Sequence, residues 1–291
     1  MPRINIAMIL PGNGCDEDTL VGANWYLWLA QQLQTCVPNL SSVICKPMPD
    51  PDVARASVWI PFVVKSLREE IEDHLANELE VEDVSEVVGA PVGQEHGARP
   101  PRSTKKANIS LLLLGHSSGA QCLMRLAEVM DPAFLRENLC PNYNDAAGTS
   151  FEVLCTKPVF YLISPCVTHL NNSNELESGY YPKQPNGLPD KPWQWERMRG
   201  NAGKIFSICG SDDPFIPRRE FDEVASCLDL VMRNNQHGND HGDEITPNPK
   251  KENRNGFYQA IVFENKGHFM QQTCPELLQL LVQEFASWDQ H

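Results

Sequence analysis

One short stretch constrains the fold of this chain more than any other. Residues 109–114 (ISLLLL) form an almost wholly apolar run, and Gly115-His116-Ser117-Ser118-Gly119 follows it directly. Residues 120–130 (AQCLMRLAEVM) then place apolar side chains at the helical period. The order predicts a buried strand, a sharp turn and a helix. The glycines are needed there because the two backbones nearly touch, so that a Cβ atom on Gly115 or Gly119 would collide.

A strand, the pattern Gly-x-Ser-x-Gly and a helix, in that order, form the nucleophile elbow of an α/β-hydrolase. In such an elbow the turn holds Ser117 in a strained backbone conformation with its hydroxyl above the sheet. The amide of Ser118 then points toward the developing oxyanion. The five-residue pattern also occurs in plain strand-to-helix turns, so the rest of the chain must decide between the two interpretations.

Predicted strands and helices alternate along the chain. This alternation predicts a single α/β-hydrolase domain over residues 1–291, with a mostly parallel central sheet and helices on both faces. The predicted strands are 4–10, 42–45, 109–114, 159–165, 204–209 and 259–263. The predicted helices are 24–37, one starting after residue 53 and running toward 75, 120–130, 219–232 and 276–288. Stretches near 77–108, 131–156 and 233–256 are interpreted as irregular insertions, the first with at most one helical turn.

Composition narrows the classes of function and the compartment. The net charge of −14 argues against nucleic acid or an anionic membrane as a partner. The 10 cysteines include no C-x-x-C pair, and the N-terminal apolar run is too short to span a membrane. We therefore expect a reduced, cytoplasmic protein without a cofactor. The spacing of His237 and His241 would suit a metal, but their glycine-rich surroundings offer no rigid scaffold, and no metal is expected.

Three residue types that serine catalysis requires follow predicted strands. Serine is a weak nucleophile unless a base lies within hydrogen-bond reach, and that base must be oriented by a carboxylate. The sequence supplies Ser117, then Asp212 or Asp213, then His268. This is the chain order of α/β-hydrolases. Spacing alone leaves the choice between the two aspartates open.

The loop after the first strand completes the predicted site. Pro11-Gly12-Asn13-Gly14 is placed to supply a second oxyanion amide, from Asn13, beside the amide of Ser118; a simple tight turn is the alternative. The predicted pocket wall contains His116, Trp193, Trp195 and Phe215. For one of the two tryptophans, packing of a helix onto the sheet is at least as good an explanation.

The chain resembles the retinoblastoma-binding protein nine family of serine hydrolases, a compact branch of the α/β-hydrolases. The motifs that match are spread over the whole chain and keep their order. They are Pro11-Gly12-Asn13-Gly14, Trp25-Tyr26-x-Trp28, Met48-Pro49-Asp50-Pro51, Ala54-Arg55 with Trp59-x-Pro61-Phe62, Gly115 to Ala120, Pro192 to Glu196, Asp212-Asp213-Pro214-Phe215-x-Pro217 and Gly267-His268-Phe269.

The resemblance implies an activity and selects one aspartate. In that family the aspartate directly before proline completes the triad, which implies Asp213. Its members are hydrolases of small esters or amides, so a small-molecule acyl substrate is implied here. The three insertions depart from the compact pattern and leave the substrate open. Binding of the retinoblastoma protein through Leu-x-Cys-x-Glu is not carried over, because Gln272-Thr273-Cys274-Pro275-Glu276 lacks the leucine.

Two other functions remain open on the sequence. An acyltransferase would share the first half-reaction and pass the acyl group to an alcohol or amine. A non-catalytic binding protein can also use a hydrolase scaffold, because fold does not fix function. A complete triad argues against the second, since a scaffold needs none of the three residues.

Overall fold

The computed structural model describes residues 2–87, 104–140, 143–144, 150–184, 187–229, 231–235 and 258–288. Within these ranges, nine strands form one sheet: β1 (Arg3–Leu10), β2 (Ser42–Ile44), β3 (Thr104–His116), β4 (Tyr143–Asn144), β5 (Ser150–Cys155), β6 (Val159–Ile163), β7 (Lys204–Gly210), β8 (Val231–Asn235) and β9 (Tyr258–Phe263). The main order is β2-β1-β3-β6-β7-β9-β8. β5 pairs with the first half of β3, and β4 pairs with β5. Only the β4–β5 pairing is antiparallel among those described.

Helices cover both faces of this sheet. They are α1 (Tyr26–Cys36), α2 (Ala56–Val87), α3 (Ser118–Ala127), α4 (Pro132–Phe134), α5 (Ser173–Ser178), α6 (Trp195–Asn201), α7 (Arg218–Cys227) and α8 (Pro275–Trp288), with a 3-10 turn at Leu20–Gly22 and a π-helical turn at Leu135–Leu139. α1 and α8 pack on one face, and α2, α3, α6 and α7 pack on the other.

The side chains of β1 show why the sheet needs two covering layers. Ile4, Ile6 and Met8 enter the core under α2 and α3, whereas Ala7 and Ile9 enter the core under α1 and α8. Successive side chains of a strand point to opposite faces, so a strand that is apolar throughout must be buried on both. The predicted fold class, a mostly parallel sheet with helices on both faces, is confirmed.

The strand registers bring one set of loops to a common edge. Leu10 at the end of β1 lies opposite Gly115 in β3, and the last residue of β7 lies opposite Phe263 at the end of β9. Because these strands are parallel, the loops that follow them leave the sheet on the same side. Ligands of open α/β sheets bind outside the carboxyl ends of the strands.

The helix before the elbow is longer than predicted. α2 continues to Val87, and β3 already begins at Thr104, so the prediction of irregular structure from 77 to 108 is wrong at both ends. The acidic run 77–87 indicated a solvated stretch, yet Glu and Leu are good helix formers and the charges do not stop a helix. Residues 88–103 of that predicted insertion lie outside the described residues.

Two strands replace predicted irregular or helical segments. Residues 150–155 form β5 within the stretch 131–156, and residues 231–235 form β8 where the sequence predicted the end of a helix and the start of an insertion. Among the described strands, each has only one long parallel neighbour, so their sequences need not be continuously apolar. Residues 141–142, 145–149 and 236–257 lie outside the described residues, and the rejected metal site at His237 and His241 lies among them.

Candidate active site

Ser117 stands at the junction of β3 and α3 in a strained conformation. Its φ of 53° and ψ of −123° are unusual for a residue with a side chain, and its N–H donates to the carbonyl of Ile163 at 2.9 Å. A Cβ atom on Gly115 would lie 2.4 Å from the carbonyl oxygen of Gly119, and one on Gly119 would lie 2.6 Å from that of Leu10. The two glycines therefore allow the close approach that forces Ser117 into this turn.

A histidine and an aspartate from two neighbouring loops are hydrogen-bonded to each other. The Nδ1 atom of His268, after β9, lies 2.8 Å from Oδ2 of Asp213, after β7. Ser164 Oγ donates to the same oxygen at 3.0 Å, and the amides of Phe215 and Ile216 donate to Oδ1 at 2.9 and 3.0 Å. Burial alone would raise the pKa of Asp213, but the hydrogen bonds from His268 and the two amides outweigh it, so the pKa is lowered.

The ionisation of Asp213 determines which nitrogen of His268 carries the proton. An ionised carboxylate only accepts hydrogen bonds, so Nδ1 must donate. In the neutral imidazole this leaves Nε2 unprotonated, as a general base requires. Asp212 makes a different contact, because its Oδ1 accepts from the N–H of Gly267 at 2.8 Å. Both aspartates thus hold the histidine loop, but it is Asp213 that contacts the imidazole.

A cavity of about 710 Å³ brings most of the predicted site residues together. Its wall contains Asn13, His116, Ser117, Ser118, Phe215 and His268. The ring of Phe215 meets that of His268 edge to face at 5.2 Å between centroids. The cavity therefore joins the loops after β1, β3, β7 and β9.

The two predicted pocket tryptophans do not line this cavity. Trp193 is buried, donates its Nε1–H to the carbonyl of Val167 at 3.0 Å, and lies 3.8 Å from the guanidinium of Arg125. Trp195 begins α6 and packs against Trp193 with 5.9 Å between ring centroids. The structural alternative, in which these rings pack elements onto the core, accounts for both positions.

A buried chain of hydrogen bonds at the cavity floor escaped the sequence analysis. The hydroxyl of Tyr26, at the start of α1, lies 3.0 Å from the amide nitrogen of Gly12 and 2.5 Å from Nδ1 of His116. The Nε2 atom of His116 lies 2.8 Å from the carbonyl oxygen of His268. Trp25 Nε1–H donates to the carbonyl of Phe269 at 3.0 Å. The signal was present as Trp25-Tyr26 among the matching motifs, but nothing in the sequence paired those aromatic residues with the elbow.

His116 is neutral in this environment. Burial, followed by the neighbouring His268, lowers the pKa of His116 to about 3. The two imidazole rings are 4.8 Å apart between centroids. A neutral His116 therefore adds no positive charge beside the imidazole of His268.

One carboxylate gives the cavity wall its charge. Glu175 of α5 accepts from the hydroxyl of Tyr181 at 2.7 Å, and its second oxygen lies 3.5 Å from Ser118 Oγ. Among the described residues that line the cavity, Glu175 is the only acidic one, and no lysine or arginine is present. The sequence gave no reason to single out Glu175, because it lies in a long polar stretch.

Two further features bear on partners. In the described ranges, no three His, Cys, Asp or Glu side chains are grouped so as to hold a metal ion, and none of the helices there is both long and apolar enough to cross a membrane. Cys274, in the string nearest to Leu-x-Cys-x-Glu, is buried directly before α8. The side chain of that cysteine is therefore not accessible, although Gln272, Thr273 and Pro275 beside it are exposed.

No protein-family model matches the chain. Serine hydrolase RBBP9 of Rattus norvegicus is 28% identical to it over 226 residues, which cover 78% of this chain and 81% of that protein. The ydeN gene product of B. subtilis shares 11% identity with a TM-score of 0.50, over 97% of this chain and 99% of that one. A truncated carbohydrate esterase from gut microbiota shares 12% identity with a TM-score of 0.52, over 100% and 88%. At such identities the two solved structures show a common fold.

Proposed function

We propose that this chain, which has the α/β-hydrolase fold and resembles serine hydrolase RBBP9, as its sequence predicted, is a hydrolase that cleaves small esters or amides through an acyl-enzyme on Ser117. One observation carries the proposal. Ser117, strained at its elbow, shares a cavity with His268, whose Nδ1 lies 2.8 Å from Asp213. A nucleophile, a base and an orienting carboxylate are the parts that serine catalysis needs.

The proposed reaction has two halves. Ser117 Oγ attacks the acyl carbon while His268 Nε2 takes its proton, and Asp213 stabilises the imidazolium through the Nδ1–H bond. The amides of Asn13 and Ser118 donate to the tetrahedral oxyanion, a contribution of about 3 kcal/mol per donor. The alcohol or amine leaves with the proton from His268. Water then attacks the acyl-enzyme by the same route, releasing the acid and restoring Ser117.

The charge of the cavity wall favours one class of substrate. Glu175 places a negative charge beside Ser118, and no lysine or arginine among the lining residues balances it. Coulomb interactions in a partly dry site favour a cationic or neutral acyl substrate over an anionic one. A choline ester and its uncharged 3,3-dimethylbutyl isostere test this preference, because they share their shape. Glu175→Gln should remove any advantage of the choline ester, whereas a preference unchanged in that variant would exclude Glu175 as its source.

We extend the proposal to the compartment. All 10 cysteines are free, and several, including Cys122 and Cys166, are buried. Proteins in oxidising compartments commonly use their cysteines in disulfides. The free thiols support a cytoplasmic location, which fractionation of cells expressing the protein would test.

Labelling with a fluorophosphonate tests the proposed nucleophile. The probe should modify Ser117 alone, and Ser117→Ala should abolish labelling while the melting temperature changes little. Ser57→Ala, at an exposed position of α2, is the matched control and should label like the wild type. Labelling that persists in Ser117→Ala, or a modified peptide from elsewhere in the chain, would exclude the proposal.

The acyltransferase alternative needs its own measurement. Hydrolysis and transfer share the acyl-enzyme, so both predict the same labelling. Adding an alcohol or amine acceptor during ester turnover separates them. A hydrolase should release the free acid at an unchanged rate, whereas a transferase should divert most of the acyl group to the acceptor.

A further inference from the structure

The loop that carries His268 has an unfavourable backbone. Gly267 and Phe269, on either side of it, have φ values of 53° and 55°. Such values suit glycine but are uncommon for phenylalanine, so contacts outside the loop must hold this shape. Two consecutive carbonyls provide them, since that of His268 accepts from His116 and that of Phe269 accepts from Trp25.

The direction of the hydrogen bonds through Tyr26 and His116 follows from the backbone groups at either end of the hydrogen-bonded path. At one end the backbone N–H of Gly12 can only donate, so the hydroxyl oxygen of Tyr26 accepts. At the other end the carbonyl of His268 can only accept, so Nε2 of His116 carries a proton. The neutral imidazole then has an unprotonated Nδ1, which accepts the O–H of Tyr26. Each donor along this path has one acceptor, and the hydroxyl oxygen of Tyr26 also accepts from Nδ2 of Asn24 at 3.0 Å.

The hydrogen bonds through Tyr26 and His116 connect the two loops that the proposed reaction must hold in a fixed relative position. Gly12 directly precedes Asn13, the proposed oxyanion donor after β1, and His268 is the proposed base after β9. The elbow itself supplies the link, because His116 directly precedes Ser117. The contacts are close on all sides: a Cβ atom on Gly12 would lie 3.3 Å from Cβ of Ser117 and 3.6 Å from both His116 Nδ1 and the Tyr26 hydroxyl.

We propose that Tyr26 and His116 are positioning residues of the hydrolase, which hold the oxyanion loop and the His268 loop in one fixed arrangement through a directional chain of hydrogen bonds. The inference rests on the proposed function, since it assigns these residues a role in the Ser117 reaction. Neither residue is required to exchange a proton with the substrate. Their effect is to keep the base and an oxyanion donor placed at the same time, which lowers the barrier of the chemical step rather than improving binding.

The first test needs no variant. Nitrogen-15 NMR of the histidine rings distinguishes the two neutral tautomers of the wild-type protein. His116 should appear as the Nε2–H form and should not titrate between about pH 5 and pH 8. An Nδ1–H form, or a His116 that titrates in that range, would overturn the proposal whether or not any variant folds.

The second test removes one hydroxyl. Tyr26→Phe keeps the ring and removes the hydroxyl that links Gly12 to His116. We expect kcat for a small ester to fall by about ten- to a hundredfold while KM stays within about twofold. The initial rate of fluorophosphonate labelling should fall in parallel. Tyr258→Phe is the matched control, because its hydroxyl donates to the carbonyl of Arg199 at 3.0 Å, at the start of β9 and away from the cavity. It should leave kcat unchanged.

The outcomes separate this inference from the proposed function. A Tyr26→Phe protein with the kcat of the Tyr258→Phe control would overturn the positioning role, although Ser117 would still be the nucleophile. Labelling that survives in Ser117→Ala would instead overturn the proposed function. A fall in kcat in Tyr26→Phe, with KM within about twofold and His116 still in the Nε2–H form that the carbonyl of His268 requires, would support the inference.

Discussion

At the scale of single residues, Asp213 accepts four hydrogen bonds, from Ser164, Phe215, Ile216 and His268. The side-chain NH2 group of an asparagine at this position can only donate, so it would bond an unprotonated Nδ1 of His268. In a serine protease the equivalent change lowers turnover by about four orders of magnitude, because the wrong tautomer is favoured. We expect Asp213→Asn to lower kcat severely in ester hydrolysis.

Asp212→Asn is the matched comparison. The new side chain keeps an oxygen that can accept from the N–H of Gly267, so turnover should fall by less than about tenfold. The opposite ranking of the two variants would assign the orienting role to Asp212.

The lowered pKa of Asp213 also predicts a pH dependence of stability. Its ordinary value is 3.8, and the folded protein lowers it, so the folded state favours the ionised form. The resulting stabilisation is complete above the unfolded value and is lost as the pH falls through the folded value. The difference in melting temperature between wild type and Asp213→Asn should therefore shrink as the pH is lowered from about 5 toward 3. A difference that grows on acidification would contradict the lowered pKa.

The residues of the site differ in how far a sequence can predict them. The proposed triad residues Ser117, Asp213 and His268 each follow a strand and keep the chain order typical of α/β-hydrolases, so the sequence alone suggests them. The contact between Tyr26 and His116 joins residues 90 positions apart. A tyrosine at the start of an amphipathic helix indicates a core position, and its hydrogen bonds follow only from how α1 packs against the elbow.

At the scale of elements, the elbow depends on two close backbone approaches. A side chain on Gly115 would meet the backbone of Gly119 at 2.4 Å, and one on Gly119 would meet the backbone of Leu10 at 2.6 Å. Backbone cannot move aside cheaply, so Gly115→Ala and Gly119→Ala should each lower the free energy of unfolding by about 3 kcal/mol or more. Denaturant unfolding measures this, and fluorophosphonate labelling should be lost with it.

Gly200→Ala is the control for that prediction. Gly200 lies in α6, and nothing lies within 4 Å of the Cβ atom it would gain. Alanine is the better helix former by up to about 1 kcal/mol, so this variant should be as stable as the wild type or more stable. An elbow alanine that is equally well tolerated would show that β3 and α3 do not need this close approach.

Strands with a nearly continuous apolar run could be predicted from the sequence, whereas β5 and β8 could not. β1, β6 and β7 are largely apolar, as expected of strands that helices cover on both faces. β5 and β8 each border one long parallel strand among those described, and their sequences (SFEVLC and VMRNN) are interrupted by polar residues and lack a continuous apolar run. Whether such a segment forms a strand depends on the neighbouring strand with which it pairs, and that neighbour is distant in sequence.

At the scale of the whole molecule, the site is assembled from loops that the sheet holds at one edge. The proposed nucleophile, base, orienting carboxylate and oxyanion loop follow β3, β9, β7 and β1, which are separated along the chain and adjacent or nearly adjacent in the sheet. The two apolar layers fix the sheet, and the sheet fixes the distances between these loops. A change in the site should therefore alter turnover more than stability, whereas a change in either layer should alter both.

The stretch between α2 and β3 offers the broadest test of what the fold requires. Residues 88–103 contain Val88 and Val92 as their only large apolar side chains, so exchanging them for a Gly-Ser linker of equal length removes little apolar surface. That variant should keep the melting temperature and the labelling of Ser117. Replacing 77–108 in the same way should be damaging, because it also removes the end of α2 and the start of β3, where Ala107 is fully buried and Asn108 pairs with Arg3. If the shorter replacement fails to fold, residues 88–103 contribute to the domain. If the variant with 77–108 replaced is equally stable, the end of α2 and the first paired residues of β3 do not contribute to the stability of the sheet.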